Sequence, residues 1–219
     1  MSDLCVFAAN FTQTPEVHGV LLRESCKRFG IELHEYGIGE DFQGWKQMKC
    51  VRSLEFLKTR TEPYALMLDA FDCFVFGRVG ELLNRYFQFG SPIVIAAEKN
   101  CFPYPEWSSL YEPISSPWPY VNSGCIMGQR VTLAAILEQM LDWENDDQAC
   151  WSLKYLHGGS VALDTHCALF QTMWHTTPDE VEPGHNKVFD TRPIIWHFNG
   201  KEYPPGTMQR WYEETTNGL

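Results

Sequence analysis

The sequence predicts an α/β fold with a mostly parallel central sheet and helices on both faces. Two observations carry that expectation. Short apolar runs alternate with longer amphipathic stretches along the first hundred residues, and two of those runs, 65–68 and 93–97, each stop at a carboxylate, Asp69 and Glu98. Alternation of this kind favours parallel strands joined by crossover helices. Sheets so built bind ligands at the carboxyl ends of their strands, which is where Asp69 and Glu98 stand. A chain of 219 residues suits one domain, 1–219, with a core of its own.

Taken in order, residues 4–9 read as a buried strand and 15–29 as a helix with Val17, Val20, Leu21 and Leu22 on one side, stopped by Gly30. Residues 31–36 alternate as a second strand, and 46–58 are helical again. After the run at 65–68 come a helix over 79–89 and the strand at 93–97. Prolines at 103, 105, 113, 117 and 119 make 100–119 a long ordered loop. Leu133, Leu137, Met140 and Leu141 share a face of a helix over 131–143, and a second helix covers 148–156. Short strands at 161–163, 169–171 and 193–197 are expected to finish the sheet.

The net charge of -11 argues against a broad nucleic-acid surface, which feeds on Lys and Arg. It leaves room for a local basic groove, or for an anionic ligand held through a metal. No basic segment followed by a long apolar run opens the chain, and no stretch is long enough to span a membrane. A cytoplasmic location is therefore expected, in a host cell if the source is viral. The eight cysteines are spread without a C-x-x-C pair, so they read as reduced thiols, several of them buried, rather than as a zinc site. In the cytoplasm the sequon Asn10-Phe11-Thr12 would be idle.

Three segments carry chemistry. In Asp69-Ala70-Phe71-Asp72, two carboxylates three residues apart at a strand end can share one hard cation such as Mn²⁺ or Mg²⁺. The alternative is a strand end with one carboxylate capping the next turn. A phosphatase that opens on an Asp after an apolar strand needs its second Asp two residues later, and Phe71 stands there. The second segment, 194–201, places His197 at the end of an apolar run, either as a structural residue or as a distant ligand to the same cation, with Asn199, Gly200 and Lys201 as a polar, phosphate-facing loop. The third, Asp146-Asp147-Gln148, is either favourable charge at a helix start or an acid–base or sugar-binding pair.

Together these segments resemble the glycosyltransferase domain of the procollagen lysyl hydroxylase and collagen galactosyltransferase group. The resemblance rests on Gly37-Ile38-Gly39-Glu40-Asp41-Phe42-Gln43-Gly44, Lys49-Cys50-Val51-Arg52, the Asp69 to Asp72 segment, Ala96-Ala97-Glu98-Lys99-Asn100-Cys101-Phe102-Pro103, Tyr120-Val121-Asn122-Ser123-Gly124-Cys125-Ile126-Met127-Gly128, Asp146-Asp147-Gln148, 163–171 and His197-Phe198-Asn199-Gly200. They run in the family's order and cover most of the chain.

The resemblance implies a GT-A fold, a UDP-sugar donor and Mn²⁺. It implies Asp69, Asp72 and His197 as metal ligands, Phe42 as the ring that stacks on uracil, and Phe71 as a second donor-side ring. It also places Lys49 toward phosphate, Asn199 in the closing loop, and Asp146 and Asp147 near the donor sugar. Two departures are visible. Lys201 follows Gly200 directly where the family continues with Pro-Thr-Lys, and Phe102 stands where the family has a Trp that bears on sugar and acceptor. The hydroxylase domain that accompanies this unit in animal enzymes is not part of these residues, so an acceptor other than collagen is expected. A hydroxymethylated base in phage DNA is the leading specific acceptor, with a hydroxylated protein, a glycan or a small molecule as alternatives. Trp107, Tyr111 and Trp118, in the loop from Phe102 to Tyr120, either stack an extruded base or a sugar ring or pack as a lid. The rival outside enzymology is a catalytically silent sugar-nucleotide-binding module, which would be expected to have lost a metal ligand.

Overall fold

The computed structural model describes residues 2–40, 44, 46–143, 146–200, 203–204 and 206–217, the side chains of 46–48 apart. Strand β1, Leu4–Ala9, shows why the early apolar runs are continuous rather than alternating. Leu4, Val6 and Ala8 enter a core on one face of the sheet, while Cys5 and Phe7 enter a second core on the other. Successive side chains point to opposite faces, and both faces are covered, so every position is apolar.

Helix α1, Val20–Arg28, leads to β2, Leu33–Tyr36; a π-helical turn, Lys46–Val51, then runs into α2, Arg52–Lys58. Helix α1 begins later than its apolar pattern because Gly19, at φ 73°, holds the left-handed conformation and interrupts any earlier turn. Strand β3, Tyr64–Asp69, is followed by β4, Cys73–Val75, then α3, Val79–Gln88, and β5, Ile93–Glu98. A 3₁₀ turn, Pro105–Leu110, lies within the proline-rich loop. Next come β6, Tyr120–Gln129, α4, Arg130–Met140, α5, Asp147–Leu156, and β7, Val161–Asp164. The chain continues through β8, Phe170–Thr172, the short pair β9, Val181–Glu182, and β10, His185–Asn186, then β11, Ile195–His197, and α6, Thr207–Asn217.

Six strands form the central sheet in the order β2-β1-β3-β6-β5-β7. All its pairings are parallel except those of β6, which runs antiparallel to both β3 and β5. Residues of α1 and α3 pack into the core on one face, and residues of α2, α4 and α5 into the core on the other. Among the described residues no helix is long and apolar enough to cross a membrane.

The structure corrects two readings of the sequence and decides a third that was left open. The late strands do not finish the central sheet: β8 and β11 join β4 in a separate three-stranded sheet, ordered β4-β11-β8, and only β7 extends the main one. The small sheet builds its own core around Phe74, Trp118, Trp196 and Phe198, onto which Tyr212 of α6 packs. Strand β6 was not foreseen, because Asn122, Ser123 and Gly124 interrupt its apolar run. Finally, Trp118 and Tyr111 of the aromatic loop are buried: Trp118 is enclosed in the small core, and Tyr111 packs against Tyr120 and Tyr155. Of the two readings the sequence left open, these two rings take the packed one and offer no platform to an incoming ring.

Leu68 is fully buried in the strand that ends at Asp69. Leu68→Ala is expected to cost about 2–5 kcal/mol in a urea melt, because the two-sided sheet cannot collapse around the lost side chain. A loss below about 1 kcal/mol would show that this strand repacks freely.

Candidate functional site

At the carboxyl ends of β3 and β5 the structure opens a cleft of about 650 Å³. Asp69 is the last residue of β3, and the turn Ala70–Asp72 delivers Asp72 directly ahead of β4. Strand β11 runs antiparallel to β4 with His197 opposite Cys73, and the Phe198 amide donates to the Asp72 carbonyl at 2.8 Å. That pairing, not the shared edge of one parallel sheet, carries a residue from the far end of the chain to Asp72. His197 Nε2 lies 3.6 Å from Asp69 Oδ2 and 3.3 Å from Asp72 Oδ2.

These spacings suit a common cation. Two donors each bonded at about 2.1 Å to an octahedral ion stand about 3 Å apart. The donor set, two carboxylates and one imidazole, fits Mn²⁺ or Mg²⁺, with His favouring Mn²⁺. The imidazole is also oriented as a ligand should be. Asn122 Oδ1 accepts from the Gly124 amide at 3.0 Å, which identifies it as the oxygen, so His197 Nδ1, 3.0 Å away, must be the donor. Nε2 is then left facing the two aspartates. Without a cation, burial is the largest single influence and lowers the His197 pKa, but the charge and hydrogen bond of Asp72 together with neighbouring Cys73 and Asp69 outweigh it and push the value up to about 10. Asp72 moves down in return: the charge and hydrogen bond of His197 outweigh its own burial. A cation held here would take the place of a proton at Nε2.

Room for this arrangement comes from Gly124. A Cβ at this position would stand 2.1 Å from His197 Cε1 and 2.8 Å from Asp69 Oδ2. Behind the site, Cys73 and Cys125 lie with their sulfurs 3.6 Å apart, both fully buried, and burial pushes both thiols up. All eight cysteines are free and seven are buried, Cys101 being partly exposed.

Facing Asp69, Asp72 and His197 is the start of α5. Asp146 caps it, its Oδ1 accepting from the Gln148 amide at 2.9 Å. Burial and the adjacent Asp147 both raise the Asp146 pKa. Asp147 is buried and paired with Lys49, whose Nζ sits 2.9 Å from Asp147 Oδ2 and 2.9 Å from Asp69 Oδ1. Lys49 comes from the π-helical turn, a local widening that recurs at functional sites. Burial opposes its charge, but Asp147 and Asp69 outweigh that and hold its pKa well above the usual lysine value.

Glu98, at the end of β5, is 1% exposed and receives three side-chain amides: Asn122 at 3.2 Å, Gln148 at 2.5 Å and Asn199 at 3.0 Å. Burial nevertheless raises its pKa to about 7. Asn199 is thus a structural node facing the cleft, since its oxygen also accepts from the Met173 and Trp174 amides. The rings at the cleft are Phe102 and Trp174, 6.5 Å apart and edge to face. Trp174 packs so closely on Gly200 that a Cβ there would meet its ring at 2.8 Å.

Of the residues read from sequence, Asp69, Asp72, His197, Lys49, Asp146, Asp147 and Asn199 all line this one cleft. Phe71 lies outside the lining, half exposed and stacked on His18 at 4.8 Å. Phe42 and Lys201 fall outside the described residues. Sequence reasoning gave no site role to Asn122, Gly124 or Trp174, and left Glu98 as a strand-end carboxylate without partners. The one available signal was the polar interruption Asn122-Ser123-Gly124 in an otherwise apolar run.

The family profile described as the PLOD GT domain matches residues 3–204. The human multifunctional procollagen lysine hydroxylase and glycosyltransferase LH3 is 29% identical over 217 residues, covering 85% of this chain and 29% of the relative. An uncharacterized protein, R699, of Acanthamoeba polyphaga mimivirus is 28% identical over 164 residues, covering 72% of this chain and 35% of the relative. The chain therefore spans about a third or less of the length of these relatives. Two solved structures share the fold. A glycosyltransferase involved in glycosylation of the major capsid of PBCV-1 aligns over 98% of both chains, with a TM-score of 0.51 at 10% identity. The galactosyltransferase LgtC, solved with donor and acceptor sugar analogs, aligns over 99% of this chain and 96% of its own, with a TM-score of 0.50 at 15% identity. The fold is GT-A.

Gly124→Ala is expected to leave the far-UV circular dichroism spectrum intact while weakening Mn²⁺ binding about 10- to 100-fold, because the added methyl displaces His197 and Asp69 together. Unchanged Mn²⁺ affinity in a calorimetric titration would place the cation elsewhere.

Proposed function

Because the chain belongs to the PLOD GT domain family, we propose that it transfers a hexose, glucose or galactose, from a UDP-sugar to a hydroxyl acceptor, with Mn²⁺ or Mg²⁺ at Asp69, Asp72 and His197. In this reading residues 1–219 act as a single unit. The observation that carries it is a charge imbalance at the cleft. Among its described lining residues, Asp69, Asp72, Glu98, Asp146 and Asp147 face only Lys49 and His197 as cationic groups. A diphosphate enters such a cleft only with a divalent cation to offset its charge. Once bound, that cation would neutralise the charge that builds on the departing diphosphate.

The chain's own groups then have distinct tasks. Asp69 and Asp72 turn one carboxylate oxygen each toward His197, and Gly124 keeps the space between them clear. Lys49 ties Asp69 to Asp147, so the metal side and the sugar side of the cleft share one ammonium. Asp147 is thereby engaged, and Asp146 is the member of the pair that we assign to the substrate. It takes the acceptor proton if the reaction inverts, and holds a sugar hydroxyl if it retains. Phe42 and Phe71 are assigned to the donor base, and Lys201 to the diphosphate, on the family resemblance.

The acidic lining favours a neutral acceptor, a glycan or a hydroxylated protein side chain, over DNA. Hydroxymethylated DNA is the acceptor this reading ranks below them, and adding it to the UDP-release assay tests it. A catalytically silent module is the weaker reading, because Asp69, Asp72 and His197 converge closely enough to hold an ion.

The test follows UDP release from UDP-glucose and UDP-galactose with and without Mn²⁺. Asp72→Asn is expected to lower turnover by about 100-fold or more while the far-UV circular dichroism spectrum stays that of the wild type, since the change removes a cation ligand at the cleft rather than core packing. Full turnover by this variant, or turnover in wild type indifferent to chelator, would refute the metal-dependent reading.

A further inference from the structure

Glu98 stands behind the proposed metal site without touching it, and the three amides around it all present nitrogen rather than oxygen. Each orientation is set independently by a backbone amide. Gln148 Oε1 accepts from the Ser123 amide at 3.2 Å, and Asn199 Oδ1 accepts from the Met173 and Trp174 amides at 3.0 and 3.1 Å. Asn122 Oδ1 accepts from the Gly124 amide at 3.0 Å. With their oxygens so engaged, all three nitrogens donate to Glu98, Asn122 and Gln148 to Oε1 and Asn199 to Oε2. A glutamine here would set its own NH₂ against a donor, so this surrounding selects an acid and favours its ionised form.

We propose that Glu98, acting through Asn122, is the positioning residue that holds His197 ready for the cation. The inference rests on the reading of Asp69, Asp72 and His197 as the metal site. Its links are continuous: Asn122 Nδ2 donates to Glu98, and Asn122 Oδ1 in turn accepts the Nδ1 proton of His197 at 3.0 Å. If Asn122 turned over, its carbonyl would face the Glu98 carboxylate and its NH₂ would face the Gly124 amide, two repulsive contacts at once. The carboxylate thus locks the carboxamide, and the carboxamide locks the ring with Nε2 toward Asp69 and Asp72. Partners of this kind fix the tautomer and rotation of a ligating histidine and strengthen it as a donor. Glu98 is too enclosed to serve the substrate itself, at 1% exposure with three donors already on its oxygens.

The test measures binding of Mn²⁺ alone, without nucleotide, by electron paramagnetic resonance of the free ion. Glu98→Gln is nearly isosteric but places an NH₂ where an amide N–H already points, so one member of the network must turn. It is expected to weaken Mn²⁺ binding about 10- to 100-fold with an unchanged far-UV circular dichroism spectrum. In cobalt-loaded wild-type protein the His197 Nδ1 proton should give a hyperfine-shifted, exchangeable proton resonance, and in Glu98→Gln that resonance should broaden or vanish. A merely structural role for Glu98 would move neither readout. Should Glu98→Gln fail to fold, Asn122→Ala removes the same link from the other side and carries the same expectation. Wild-type Mn²⁺ affinity in the folded variant overturns the positioning role while leaving the metal site intact. Failure of the wild-type protein to bind Mn²⁺ overturns the metal-site reading and this inference with it.

Discussion

Mutual repulsion among carboxylates is the constraint around which one end of this molecule is organised. Five of them, Asp69, Asp72, Glu98, Asp146 and Asp147, line a single cleft, Glu98 and Asp147 with little solvent to screen them. A crowd of this kind persists only if each charge is individually answered. Lys49 answers Asp69 and Asp147, His197 answers Asp72, the amide at the start of α5 answers Asp146, and three carboxamides answer Glu98. Two of the answering groups are themselves buried cations whose pKa values are held high by the carboxylates they serve. The site is therefore a balanced set in which removing one member leaves another exposed to an uncompensated charge.

The balance depends on the small second sheet. His197 reaches Asp72 because β11 lies antiparallel against β4, which starts immediately after Asp72. The aromatic core of that sheet, with Trp196 on β11 and Phe74 on β4, anchors the pairing through apolar burial. His197, from late in the chain, is thus held by packing on one side and by the Asn122 carboxamide on the other. Glycine completes the fit: at Gly124 any side chain would occupy the space that His197 and Asp69 share.

Placing functional groups on strand ends also separates stability from chemistry. The strands are secured by two apolar cores, one on each sheet face, filled from β1, β3, β5 and β6. Their termini are then free to carry groups that are costly to bury. The same division explains the long aromatic loop, whose Trp118 and Tyr111 are spent on packing while Phe102 and Trp174 face the cleft.

The sequence by itself determined most of the strand–helix order of the first hundred residues, strand β4 excepted, the carboxylates that end β3 and β5 and, through family resemblance, that Asp69, Asp72 and His197 belong together. These were legible because apolar periodicity is a local property and because a parallel sheet sends its strand ends to one side. Only the tertiary structure decided that β6 is a strand running against its neighbours, since Asn122, Ser123 and Gly124 break its apolar run in order to face the site. Nor could local pattern show that the late strands form a sheet of their own, or that Lys49 bridges Asp69 and Asp147, two carboxylates far apart in the chain. The network around Glu98 is the plainest case. Amides from Asn122, Gln148 and Asn199 carry no periodicity that links them, and their common purpose exists only where three separate segments meet around one buried charge.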